Sequence, residues 1–344
     1  MMHTRIFAAF LDGARRVRQA PAILVSLLAL SLVAALLPGI VIHEQIAAGL
    51  GSSAEADTMV NGVSLDWMDL FGESASGLSR TVSPAVIGFA APIENLSRVA
   101  DVAGALPPAV IGLVVAYVLL WLFLSGGMLD RYARQRALRS RAFFGACGML
   151  FPRFLRLGLV ALVGYGLLFG VIHAWLFGNV WTSVTREMTV ERTAFFLRLA
   201  LYLVFGVLLA AWNVVLDYAR IRTVVEDRRS AIGALWSACR FVAAKPRAVA
   251  SLYALNAGCF VVALGIYGMV APGAAGGGVS AWTAFAIGQL FILVRIGLKL
   301  TFYASQTALF QQSFAHAAYA APPQPLWPDS PAAEAIARGA DRAQ

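Results

Sequence analysis

Charge is scarce in this sequence. Asp, Glu, Lys and Arg make up only 13% of 344 residues, while 60% are hydrophobic. A soluble chain of that composition would leave adhesive apolar patches, so the class that fits is an integral membrane protein. Lysine is almost missing: of 27 Lys and Arg residues, only Lys245 and Lys299 are lysine. We read that skew as genomic base composition, since membrane orientation requires only positive charge. Cysteine is sparse too. Cys147, Cys239 and Cys259 show no CxxC spacing, and the first two fall in predicted cytoplasmic connectors, where thiols stay reduced; this argues against a disulfide framework. The four histidines are dispersed at His3, His43, His173 and His316. Only His43 and His173, both near one predicted membrane face, offer a bis-histidine haem or metal pair, and no second motif supports it. There is no HExxH, GxSxG, Walker A, EF-hand loop or paired-aspartate metal motif. No catalytic residue, metal or cofactor is predicted.

What is present is long uncharged runs between arginine-rich bends. No charged residue occurs from Gln19 to His43, between Asp101 and Asp130, or from Ala248 to Val294. About 20 apolar residues cross a hydrocarbon core. The last run is too long for one helix and is broken by Pro272-Gly273-Ala274-Ala275-Gly276-Gly277-Gly278. With further spans over about 157–177 and 193–216, six result, the sixth beginning near Trp282 and continuing to about Phe314. The predicted fold is therefore an all-α polytopic bundle with short interfacial helices. The first run is too long for the usual signal-peptide core and no small-x-small site follows closely, so an uncleaved anchor is expected.

Positive charge fixes the orientation. Residues 1–20 hold four Lys/Arg, 130–156 seven, 217–247 seven and 311–344 two, against five facing the other way (Arg80, Arg98, Arg186, Arg192 and Arg198). By the positive-inside rule both termini are cytoplasmic, which places the protein in a bacterial inner membrane with the bilayer as its first partner. The net charge of +9 is thus a topology signal, and no nucleic-acid partner is expected.

Three regions lie outside the spans. Residues 1–20 form an interfacial amphipathic helix, with Ile6, Phe7, Phe10, Leu11, Ala14 and Val17 on its apolar face. Residues 44–106 form an acidic outer cap within the 21–315 membrane domain. There Leu65, Trp67, Met68, Leu70 and Phe71 make an aromatic patch, with Trp67 expected at headgroup depth, and Val82–Ile93 is apolar but interrupted by proline. The cap either packs on the bundle or closes over a substrate. Residues 316–344 are a Pro/Ala-rich tail, predicted disordered, whose proline every third residue from Pro322 to Pro331 offers a docking strip as the alternative.

One pattern occurs twice. Met128-Leu129-Asp130-Arg131-Tyr132-Ala133-Arg134 and Val215-Leu216-Asp217-Tyr218-Ala219-Arg220 each end an apolar run and open a basic connector. The connectors then carry small-residue helical stretches (RAFFGACGMLF and SAIGALWSACRF) and Pro152-Arg153 or Pro246-Arg247. Spans 2–3 and 4–5 therefore read as parallel repeated hairpins. Gly166 and Gly170 form a GxxxG pair, a weak signal for helix packing.

Ionisable residues inside a membrane are functional candidates. Asp130 and Asp217 occupy equivalent inner ends of spans 2 and 4, while Arg295 and Lys299 lie at i and i+4 on span 6. These four are a candidate charge network closing the cytoplasmic side. The alternative is local pairing of each aspartate, with Arg295 and Lys299 snorkelling to lipid phosphate. Asn213, Asn256 and Gln289 either bond across helices or line a solute path. Arg198 either pairs with the outer cap, near Glu191, or snorkels outward.

The basic amphipathic start, the repeated hairpins and the small-residue inner helices resemble, in layout over residues 1–315, uncharacterised six-span bacterial inner-membrane proteins. They also loosely resemble the membrane domains attached to bacterial glycerophosphodiester phosphodiesterases, although this sequence has no catalytic domain of that kind. The resemblance implies an inner-membrane location and no activity. Three functions remain open: a non-enzymatic binder or transporter of a small or lipid-like molecule, a scaffold or assembly protein, and the membrane subunit of a system driven by a separate cytosolic ATPase. A cavity reaching Asn213, Asn256 or Gln289 favours the first, and a dry Leu/Val/Gly core the second. For the third, stretches 140–151 and 230–244 would serve as coupling helices.

Overall fold

A computed structural model describes residues 2–51, 53–61, 64–82, 108–135, 139–271 and 278–318. The proline-interrupted stretch beyond Val82, the Pro272–Gly277 part of the fifth turn and the Pro/Ala tail lie outside the described residues. The described part is helical, with no strand among its residues. In chain order come α1 (Met2–Arg18), α2 (Pro21–Leu50), α3 (Ala56–Asn61), α4 (Leu65–Ser74) and a 3-10 turn (Gly77–Thr81). Then follow α5 (Pro108–Arg134), α6 (Ser140–Thr185), α7 (Glu191–Val225), α8 (Ala231–Ala244), α9 (Pro246–Val270) and α10 (Val279–Ala318).

Six of these (α2, α5, α6, α7, α9 and α10) are long and apolar enough to span a bilayer. In the most apolar window of each, no more than 17% of residues are buried within the chain. So much open apolar surface is stable only against hydrocarbon, which makes this an all-α multi-pass membrane protein. The chain divides into Met1–Ala308 and Leu309–Gln344. The first unit holds everything below; of the second, only the end of α10 is described.

Helix ends depart from the expectation where backbone hydrogen bonding continues past the apolar run. The connection left between the spans expected over about 157–177 and 193–216 shrinks to residues 186–190, because α6 continues to Thr185, through wider π-helical turns at Leu167–His173 and Trp175–Val180. Pro246 starts α9 at the position where its missing N–H leaves no hydrogen bond unmade, so α8 and α9 stay separate. Pro152 instead lies inside α6, so the first connector's small-residue stretch is fused to its span. Both bends turn in the same way, with Gln135 (φ 51°) and Asp227 (φ 50°) in the left-handed region just beyond α5 and α7.

Around α4 the cap has a core of its own. Trp67 stacks on Phe71 with ring centroids 4.8 Å apart, and Met68 and Ala75 join them against Ile46 and Leu50 of α2. Trp67 is only 4% exposed, inside this small core. Packing against the end of α2 takes up the aromatic face, and Leu65 and Leu70 carry the exposed apolar surface instead.

At the opposite end of the spans, the basic segments are in contact with one another. Arg16 Nη1 donates to the Tyr132 carbonyl at 2.8 Å, Arg131 donates to the Gln19 carbonyl at 3.2 Å, and Arg153 pairs with Asp227. Helix α1 is seated by one face and leaves apolar side chains open on another. Its buried face is Ile6, Ala9, Gly13, Arg16 and Val17, while Phe7 and Leu11 are exposed. The reason is steric: a Cβ on Gly13 would come within 2.5 Å of the Ser305 backbone. The small-residue face lets α1 dock against α10, and Val17 joins Met128, Tyr132, Leu300 and Ala304 in one apolar core. The GxxxG pair does no comparable packing, since a Cβ at Gly166 or Gly170 would meet nothing within 4 Å. Close approach occurs at Gly127 instead, where a Cβ would lie 2.6 Å from Cys147 Sγ.

Candidate functional site: a charged cavity among five helices

The polar residues of the spans converge because they share helical faces. On α7, Asn213, Asp217 and Arg220 follow at i, i+4 and i+7, and on α9 Tyr253, Asn256 and Phe260 at i, i+3 and i+7. On α10, Arg295, Lys299, Phe302 and Tyr303 fall on one stripe. Together with Tyr117 and Trp121 of α5 and Tyr165 of α6, these stripes line a cavity of about 620 Å³. That volume lies within the range of small-molecule sites, about 300–1,000 Å³.

The wall is held by a set of hydrogen bonds. Asp217 Oδ1 pairs with Arg220 Nη1 at 3.2 Å, and its Oδ2 accepts from Gln306 Nε2 at 3.3 Å. The Tyr303 hydroxyl accepts from Trp121 Nε1 at 3.3 Å. Tyr165 donates to Asn213 Oδ1 at 2.6 Å, while Asn213 Nδ2 donates to the Leu209 carbonyl. Asn256, buried, donates to Ser305 Oγ at 3.1 Å and to the Leu252 carbonyl. The Lys299 ammonium lies 3.6 Å from the centre of the Trp121 ring, a cation–π contact.

The four residues of the expected charge network separate. Asp217, Arg295 and Lys299 line the cavity. Asp130 is buried outside that lining, with Arg134 Nε 2.6 Å away. On α5 the aspartate follows the Gly126-Gly127 step that packs on α6, and its ion-pair partner among the described residues is the arginine one turn on. Asn213 and Asn256 reach the cavity; Gln289 does not, and its buried Oε1 accepts no hydrogen bond. Among the described residues Arg198 forms no ion pair, with Glu191 or with the described part of the cap. Its guanidinium lies over the Trp181 and Tyr202 rings, 5.6 and 5.9 Å from their centroids.

Sequence reasoning left Arg220 among the connector arginines and passed over Trp121, Tyr165, Tyr253 and Tyr303. The i, i+4, i+7 placement of Arg220 behind Asn213 and Asp217 was the available signal. His173 sits among the Phe169, Phe177 and Phe205 rings. Among the described residues no group of three or more His, Cys, Asp or Glu could hold a metal ion.

Fold and cavity together define a multi-pass α-helical membrane protein with a polar chamber between its spans. No protein-family model, no curated protein and no solved structure matches the chain.

Proposed function

We propose that this is a bacterial inner-membrane protein, its basic end facing the cytoplasm, that binds or moves a small or lipid-like molecule in the five-helix cavity without catalysing a reaction. The cavity carries the reading. A scaffold needs only a dry core, whereas Asp217, Arg220, Arg295 and Lys299 gather charge in a cavity between apolar spans, where ionisable groups mark functional sites. Packing alone gains nothing from that arrangement. The paired hairpins support the same reading, since transporter sites often lie between repeats. Tyr132 and Tyr218 are both fully buried just after their aspartates, and each aspartate is bridged by an arginine about one turn later.

The test is to fill the chamber. The full chain, purified in nanodiscs and analysed by native mass spectrometry, should carry a bound molecule that Ala257→Trp excludes while leaving the fold intact. Identical spectra for both proteins would leave the scaffold reading. A second reading has one observation behind it: Ile232 and Trp236, one turn apart on α8, are 72% and 68% exposed. That face suits either the lipid interface or a cytosolic partner such as an ATPase. Copurification of a nucleotide-binding protein that is lost with Trp236→Ala would favour the partner.

A further inference from the structure

The cavity carries more positive charge than its own groups neutralise. Among the described residues Asp217 is the one carboxylate in its lining, and both its oxygens are already engaged by Arg220 and Gln306. Arg295 and Lys299 have no carboxylate partner among the described residues. Lys299 lies against the Trp121 ring, and Arg295 and Lys299, both exposed, line the chamber. Lys299 is near enough to Arg220 and Arg295 to feel their repulsion and to Asp217 to feel its attraction, and that single carboxylate is shared among three cations. Three cations and one anion leave a formal excess of two positive charges facing one space. Repulsion among like charges facing one space is relieved by a bound anion.

We propose that the cavity binds a phosphomonoester, its dianionic head held by Lys299 and Arg295. A phosphomonoester carries between about 1.5 and 2 negative charges at neutral pH, which matches the excess; a carboxylate or phosphodiester supplies one. Arginine forks onto phosphate oxygens through two N–H groups, while the lysine ammonium acts as a point charge. The Asn256 and Tyr253 face of α9 borders the same space, and Phe260 and Phe302 provide apolar wall for the rest of the molecule. The head comes either from a lipid, as in phosphatidic acid, or from a soluble phosphate compound. This inference rests on reading the cavity as a binding site, but it fails separately from that reading.

The experiment uses the full chain in phosphatidylcholine nanodiscs doped with phosphatidic acid or with phosphatidylglycerol, and a third set in plain phosphatidylcholine titrated with inorganic phosphate. Bound ligand is counted by native mass spectrometry. Phosphatidic acid should bind at least about tenfold more tightly than phosphatidylglycerol. Lys299→Met or Arg295→Gln should each weaken it by about tenfold or more, because each removes a charged hydrogen-bond donor facing the head. Lys299→Arg should keep most of the binding, which separates lost charge from lost fold. Equal binding of inorganic phosphate, lost in the same variants, would assign the head to a soluble compound. The proposal is overturned if neither probe outbinds phosphatidylglycerol, or if binding ignores both charge variants. A neutral molecule excluded by Ala257→Trp but indifferent to Lys299→Met would overturn it while leaving the binding function standing.

Discussion

Asp217 holds two cavity walls at once, one oxygen on Arg220 of its own helix and the other on Gln306 of α10. Hydrogen bonds to a charged group are worth about 1.5–3 kcal/mol each. Asp217→Ala should therefore lower the thermal unfolding midpoint clearly, and more than Asp130→Ala, whose arginine partner is half exposed and readily rehydrated. Equal losses would mean that the cavity aspartate has no special structural part. Asn256 offers a gentler case. Its amide bridges α9 to Ser305 of α10, and interhelical bonds of this type average about 0.6 kcal/mol and reach about 1.7. Asn256→Leu should stay folded at that modest loss, measured by unfolding in detergent, because Ser305 keeps its bond to the Phe302 carbonyl.

At the scale of the element, α1 shows how one glycine decides a placement. With its Cβ position within 2.5 Å of the Ser305 backbone, Gly13→Val leaves α1 no room to dock. Overpacking costs about 1–3 kcal/mol, and the expected readout is faster proteolysis within residues 1–20 while the spans stay intact. Unchanged proteolysis would show that α1 is not seated on α10. The α5 bend is strained in the opposite sense. Gln135 occupies the left-handed region at φ 51°, which costs a side-chain-bearing residue about 1–2 kcal/mol, so Gln135→Gly should raise the thermal midpoint.

The α6–α7 clamp gives a pH signature. The hydrogen bond from Arg153, and then its charge, hold the Asp227 carboxyl below its usual range. A depressed carboxylate stabilises above its unfolded-state pKa, and that contribution fades only as pH falls through the lower, folded value. The advantage of the wild type over Asp227→Asn should hold steady from pH 7 to 5 and shrink only below about 4. A difference already closing at pH 6 would argue that the pair is not formed.

Across the whole molecule the governing claim is that arginine-rich bends share one side of the bilayer. The Arg16–Tyr132, Arg131–Gln19 and Arg153–Asp227 contacts bring three basic segments to one end of the bundle. Single cysteines at Arg139 and Arg229, in a chain freed of its native cysteines, should react with an impermeant maleimide from the same compartment, and one at Asp66 from the other. Labelling of Arg139 and Arg229 from opposite sides would end the six-span architecture.

The spans, their number and the grouping of basic ends were legible because they depend on hydropathy and charge counted along the chain, quantities that do not require knowing any neighbour. Half of the candidate site was legible for the same reason: Asp217, Arg295, Lys299, Asn213 and Asn256 stand out as polar groups in apolar runs. Which of them meet was decided only by tertiary structure. Asp130 and Asp217 occupy matching positions in similar stretches, yet packing of Gly127 against Cys147 closes α5 on α6 near the first, while five helices stand apart around the second. Whether two helices touch or leave a chamber depends on side-chain volumes contributed by both, and no stretch of sequence read alone contains its partner's share of the space.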